Sequence, residues 1–236
     1  MKQHGSVFLL MARATLHKAL GLLALMAAVE GGLFWLTLRR GPTDSGFGLE
    51  GVVQNSRIVW VFGVCFLLLF ALLAWTCRRI SGTDTARRLS VGEVWVVFWQ
   101  SVYNVLCCLL FWAAQILTAI ALCRLYAAQA PAEYVTNQTV FLAFYRSEFL
   151  HSILPFEDAV FWVRNALLAL ALGVSAARRP GRRDRALWAP VFLAVSAGFF
   201  HGGIGDGTAG LVAAVLALAV AIPTTFRKQE VPFDEA

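Results

Sequence analysis

Charge is what this sequence is short of. Only 14% of its 236 residues are Asp, Glu, Lys or Arg, against about a quarter in a soluble domain. Those that exist stand between long apolar blocks rather than along them, which excludes an ordinary soluble domain. Cysteine is sparse and badly placed for cross-linking. All five (Cys65, Cys77, Cys107, Cys108 and Cys123) lie inside or at the edges of apolar segments, with no C-x-x-C pair. A disulfide framework or a thiolate metal site therefore has no support. The chain also lacks a Walker A loop, an H-E-x-x-H helix and a dinucleotide fingerprint set between a strand and a helix. Nucleotide binding, zinc hydrolysis and hydride transfer are left without their usual carriers, and no cofactor is expected.

What is present in excess is apolar length, at 59% of residues. A crossing needs about 20 apolar residues, so the chain has room for six. The expected fold is all-α: a polytopic membrane protein with six transmembrane helices in a single transmembrane domain. The net charge of +6 would suggest nucleic acid in a soluble protein. Here the Lys and Arg residues sit at the ends of apolar blocks, where membrane topology places them. Lipid, not nucleic acid, is the expected surrounding.

The N-terminus reads as two pieces. Residues 6–18 mix apolar side chains with Arg13, His17 and Lys18, as an amphipathic interfacial helix does, and the first span covers about 19–38. Its apolar run through Leu33–Leu36 is too long for a cleavable signal core. The stretch from Gly41 to Arg57 is turn-rich and expected to be a loop. The second span covers about 58–76. Ser90-Val91-Gly92-Glu93 then fits a capping box at a helix start. The unbroken apolar pattern from Val91 to Cys123 exceeds one crossing, so either one helix projects from the membrane or the pattern divides. Aromatic residues concentrate at the interface, which favours an interfacial helix over 91–103, rich in Trp95, Phe98 and Trp99, before a third span over 104–123. An outer surface segment of short helices follows over 124–156. The remaining spans are about 159–177, 186–200 (with Pro190 inside) and 208–226.

Orientation follows from the basic residues, which favour the cytoplasmic side. The N-terminal segment, the connections at 78–90 and 178–185, and the C-terminus hold 14 of the 20 Lys and Arg. Both ends are expected inside.

Few residues point to chemistry. Glu30 interrupts the first span beside Gly31 and Gly32. A mid-membrane charge costs about 2.5–3.5 kcal/mol on insertion scales, so Glu30 has to face protein or water. It reads as a buried structural carboxyl first and a proton or cation relay second. Asn104, Gln115 and Asn165 are interhelical hydrogen-bonding residues first and pathway residues second. Arg164, one turn into the fourth span, has Glu157 and Asp158 within reach of pairing. Ser175 with His201 suggests the serine–histidine dyad of intramembrane rhomboid proteases, but they sit at opposite ends of their spans, about 24 Å apart in level, too far for a nucleophile and its base. His201 and Asp206 in a glycine-rich turn are too few ligands for a metal.

The combination of an interfacial N-terminal helix, six spans with both ends inside, and a basic capped connection between spans two and three (Arg87-Arg88-Leu89-Ser90-Val91-Gly92-Glu93) resembles the membrane subunits of ABC-2 type transporters. The resemblance covers most of the chain. It implies a permease subunit in the cell membrane, bacterial in style, dimerising with itself or a sister permease. ATP would be hydrolysed by a separate ABC ATPase subunit, so the chain itself would not be an enzyme. Arg87, Arg88, Ser90 and Glu93 would form the ATPase-coupling surface. The outer re-entrant element of that family lies between spans five and six, whereas the long outer segment here lies between spans three and four. The apolar spans are compatible with a lipid-like or peptide cargo. The alternatives are a secondary transporter or channel built on Glu30, Asn104 and Gln115, or a non-transport membrane partner subunit.

Overall fold

A backbone crossing hydrocarbon has to satisfy its own N–H and C=O groups, and this chain does so with helices. The computed structural model describes residues 2–40, 48–81, 92–131, 134–155, 158–177 and 207–226. Within them run α1 (Lys2–Arg40), α2 (Leu49–Asn55), α3 (Ile58–Ser81), α4 (Glu93–Gln129), α5 (Thr139–Arg146), α6 (Glu148–Ile153), α7 (Ala159–Ala176) and α8 (Gly207–Phe226). Five of these, α1, α3, α4, α7 and α8, are long and apolar enough to cross a membrane. The chain is an all-helical, multi-pass membrane protein. The expected span over 186–200 lies outside the described residues.

Two expectations about helix breaks are corrected. The interfacial helix 6–18 and the first span are one helix, because the buried stripe Val7, Met11, Thr15 and Ala19 continues through Met26, Glu30, Phe34 and Leu38. Spacings of four and seven keep one helical face inward, and Arg13, His17 and Lys18 interrupt only the exposed face. The interfacial helix 91–103 and the third span are likewise one helix, α4, whose buried positions run without a gap from Val96 to Tyr126. The capping box is also not in the expected register. Gly92, in extended backbone (φ −56°, ψ 142°), is the N-cap. Glu93 is therefore the first helical residue rather than the third, and its side chain is exposed.

The loop expected up to Arg57 contains α2, a seven-residue helix whose Leu49, Val52 and Val53 are buried in the core. Their i, i+3, i+4 spacing gives one apolar face. The α2–α3 turn places Arg57 at φ 57°, a left-handed conformation that costs an L-residue about 1–2 kcal/mol. Arg57 is exposed, so Arg57→Gly is expected to raise stability by about 0.5–1 kcal/mol, read as a higher midpoint of thermal unfolding in detergent.

Helix directions follow from the contacts. Helices α1 and α4 run parallel, since Thr15 meets Tyr103 and, further along both, Glu30 meets Gln115. Helix α3 is antiparallel to α4, with Cys77 against Asn104 and Phe66 against Phe111. Helix α7 is also antiparallel to α4, with Gly173 against Asn104 and Trp162 against Trp112. Helices α7 and α8 run parallel: Leu168 packs with Ala214, and further along both the Thr225 hydroxyl donates to the Val174 carbonyl at 3.4 Å. The core between α3, α4 and α6 is aromatic. The Phe62 ring lies 5.6 Å from Phe111 and 6.0 Å from Phe149.

These registers also fix which side chains share a level. Arg39 follows Glu30 by nine residues and Arg124 follows Gln115 by nine, so both basic residues stand at one level, about 14 Å above the Glu30–Gln115 contact. Lys18 and Arg39 are about 32 Å apart along α1 at 1.5 Å per residue, close to the hydrocarbon thickness of about 30 Å. At 39 residues, α1 is about 58 Å long, and fitting it within the hydrocarbon would take a tilt near 59°, beyond the 0–40° range of membrane helices. Helix α1 therefore overruns a single crossing, and its N-terminal third lies beside the first three turns of α4.

Candidate functional site

Four groups of polar side chains lie along the helices. The first is a latch. Helix α6 has six residues, too few for its C-terminal carbonyls to find partners within it. Side chains of neighbouring helices supply the donors. Asn165 Nδ2 donates to Ser152 O at 2.8 Å and Trp112 Nε1 to Ile153 O at 3.0 Å. Just beyond, Trp162 Nε1 donates to Pro155 O at 2.6 Å. Arg164, also buried, donates through Nε and Nη2 to Asn165 Oδ1 at 3.1 and 2.9 Å, and its guanidinium lies 4.4 Å from the Phe161 ring centre. A cation at the negative end of a helix dipole is favourably placed. Arg164 and Asn165 thus hold the outer segment onto α4 and α7.

Near the midplane lies the Glu30–Gln115 pair. Both side chains are 0% exposed, and Gln115 Nε2 donates to Glu30 Oε2 at 3.0 Å. Among the described residues, Glu30 Oε1 and Gln115 Oε1 have no hydrogen-bond partner. Such orphaned acceptors are costly in an apolar interior. Beside Gln115, a gap lined by Ile58, Ala119, Leu122 and Phe149 is sized for about one water molecule.

Deeper towards the basic side, buried Asn104 ties three helices together. Its Nδ2 donates to Gly173 O at 3.2 Å on α7 and to Cys77 Sγ at 3.4 Å on α3. The approach depends on glycine: an ideal Cβ at Gly173 would lie 2.6 Å from Val105 N and 2.8 Å from Val105 Cα. Ser175, weighed above as a nucleophile, donates back to Leu172 O at 2.9 Å, an ordinary bond within its own helix. Its proposed base, His201, lies outside the described residues.

On the overrunning ends, Thr15 Oγ1 donates to Met11 O at 2.8 Å and meets Tyr103 OH at 2.6 Å, and Phe8 packs edge-on against the Tyr103 ring. This clamp joins α1 to α4 about one turn before Lys18. Around it, Leu9 and Leu16 on α1 and Val94, Trp95 and Phe98 on α4 are exposed. Of the expected coupling residues, Arg87, Arg88 and Ser90 lie outside the described residues, and Glu93 opens α4 at the tip of this projection.

The structure thus brings Glu30 together with Gln115, and Arg164 with Asn165, while Asn104 stands apart with Cys77 and Gly173. Sequence reasoning missed Thr15, Tyr103, Trp112, Ser152 and Gly173. Only Gly173 carried a usable signal, since a small residue inside an apolar span marks a close helix crossing. Compared with known proteins, the chain matches no family, no curated protein and no solved structure.

Proposed function

We propose that the chain is the membrane-spanning permease subunit of a transporter driven by a separate ATPase, similar in plan to the ABC-2 type. It has six crossings, both ends on the cytoplasmic side of the cell membrane, and pairs with a second permease subunit. The observation that carries this reading is the overrunning pair of parallel helices, the N-terminal third of α1 clamped to the start of α4 through Thr15 and Tyr103. The projection stands on the side of Arg78 and Arg79, and its exposed Leu9, Trp95 and Phe98 give a partner protein apolar surface to grip. The parallel course of α7 and α8 supports the count of six, since parallel neighbours joined by one connection need a return crossing between them.

The test is charge reversal at the coupling connection. The double variant Arg87→Glu, Arg88→Glu is expected to reduce co-purification of an ATPase at least about tenfold, which corresponds to about 1.4 kcal/mol, with the thermal unfolding midpoint unchanged. Undiminished recruitment and transport in that variant would count against the proposal. A second reading, a secondary carrier, rests on the Glu30–Gln115 pair, because unpartnered oxygens near the midplane are where a coupling ion binds in such proteins.

A further inference from the structure

Between the overrunning part of α1 and the end of α3 lies a groove lined by Leu10, Ala14, Lys18, Trp75, Thr76 and Arg79, with Ile80 at its floor. Its volume is about 230 Å³, open on one side to the surroundings. We propose that this groove binds the headgroup of an anionic phospholipid. The inference needs only that the helices cross a membrane and does not rest on the ATPase reading.

Position is the first argument. Lys18 marks one edge of the apolar length of α1, and Arg79 follows Cys77, which meets Asn104 at the same end of the bundle. Both charges therefore stand at headgroup level. Trp75 lies one turn deeper on α3 than Arg79 and is 68% exposed, at the depth where tryptophan favours the glycerol region of lipids. Below it the lipid-facing flanks carry exposed Leu20 and Leu25 on α1 and Leu67 and Leu68 on α3, which suits acyl chains running down from the groove.

Charge is the second argument. No acidic side chain lines the groove. Among the described residues neither Lys18 nor Arg79 forms an ion pair, and the Thr76 hydroxyl is committed to Leu72 O at 2.9 Å. Two cations without a counter-charge among the described residues, set in a concave wall between transmembrane helices, match the chemistry of a phosphodiester headgroup. A zwitterionic lipid brings its own ammonium to the same place and gains less.

The experiment compares phosphatidylglycerol with phosphatidylcholine on the full chain in neutral detergent, by native mass spectrometry of bound lipid. The wild type is expected to retain phosphatidylglycerol in preference to phosphatidylcholine. The double variant Lys18→Gln, Arg79→Gln is expected to bind phosphatidylglycerol about 30-fold more weakly, at roughly fivefold per basic residue. Arg124→Gln, which removes a charge at the opposite edge, should leave binding unchanged. As a second readout, phosphatidylglycerol with brominated acyl chains should quench part of the tryptophan emission in the wild type, and Trp75→Phe should remove that part. Equal retention of the two lipids, unchanged affinity in the double variant, or quenching that survives Trp75→Phe would overturn the proposal. So would displacement of the lipid by millimolar inorganic phosphate, which would make the groove a site for free anions.

Discussion

Replacing Gly173 with alanine is expected to lower the stability of the protein by about 3 kcal/mol. Most of the cost is overpacking. The new Cβ would sit 2.6 Å from Val105 N and 2.8 Å from Val105 Cα, so a backbone has to move, and extra methylenes in a packed interior cost about 1–3 kcal/mol. Separating α4 from α7 also stretches the 3.2 Å bond from Asn104 to Gly173 O, and interhelical hydrogen bonds in membranes are worth about 0.6 kcal/mol, up to about 1.7. Two controls make the result specific. Gly31→Ala, where a Cβ meets nothing within 4 Å, should change stability little. Ser175→Ala should also be nearly silent, because its hydroxyl bonds only within its own turn. Reversible unfolding in mixed micelles measures all three, and a Gly173→Ala protein as stable as wild type would remove the close crossing from the account.

The parts of this fold that were legible in the sequence are those set by one helix at a time. Apolar length located α3, α7 and α8 to within a few residues, because each block ends at charge, glycine or proline. What was illegible depends on two elements at once. Hydropathy treats Arg13, His17 and Lys18 as a boundary, yet α1 passes through them because its inward face, from Met11 to Thr15 and Ala19, is already engaged by α4. Glu30 and Gln115 each stood out as polar residues in lipid, but nothing within either span says that they meet. Their pairing follows from the parallel register that the Thr15–Tyr103 clamp sets between α1 and α4. Helix α2 was missed for a different reason. Seven residues are too few for a period to declare itself, and its apolar face became meaningful only when packed on the core.

The Glu30–Gln115 pair gives the other large effect, and it separates the two functional readings. Gln115→Leu is expected to destabilise the protein by about 3 kcal/mol, because it removes the donor to Glu30 Oε2 and leaves a fully buried carboxyl in hydrocarbon, where the insertion cost of a charge is about 2.5–3.5 kcal/mol. The double variant Glu30→Leu, Gln115→Leu should recover most of that loss, since exchanging both partners of a buried polar pair for apolar groups is close to neutral. Glu30→Gln should hold or improve stability. Its new amide keeps an acceptor for Gln115 Nε2 and adds a donor for Gln115 Oε1, which has no partner among the described residues. A well-folded Glu30→Gln protein then allows a clean measurement of transport in vesicles. In the ATPase-driven reading the carboxyl only joins α1 to α4, so transport continues at a rate close to wild type. If transport stops while stability is kept, the carboxyl carries the coupling ion and the chain is a secondary carrier.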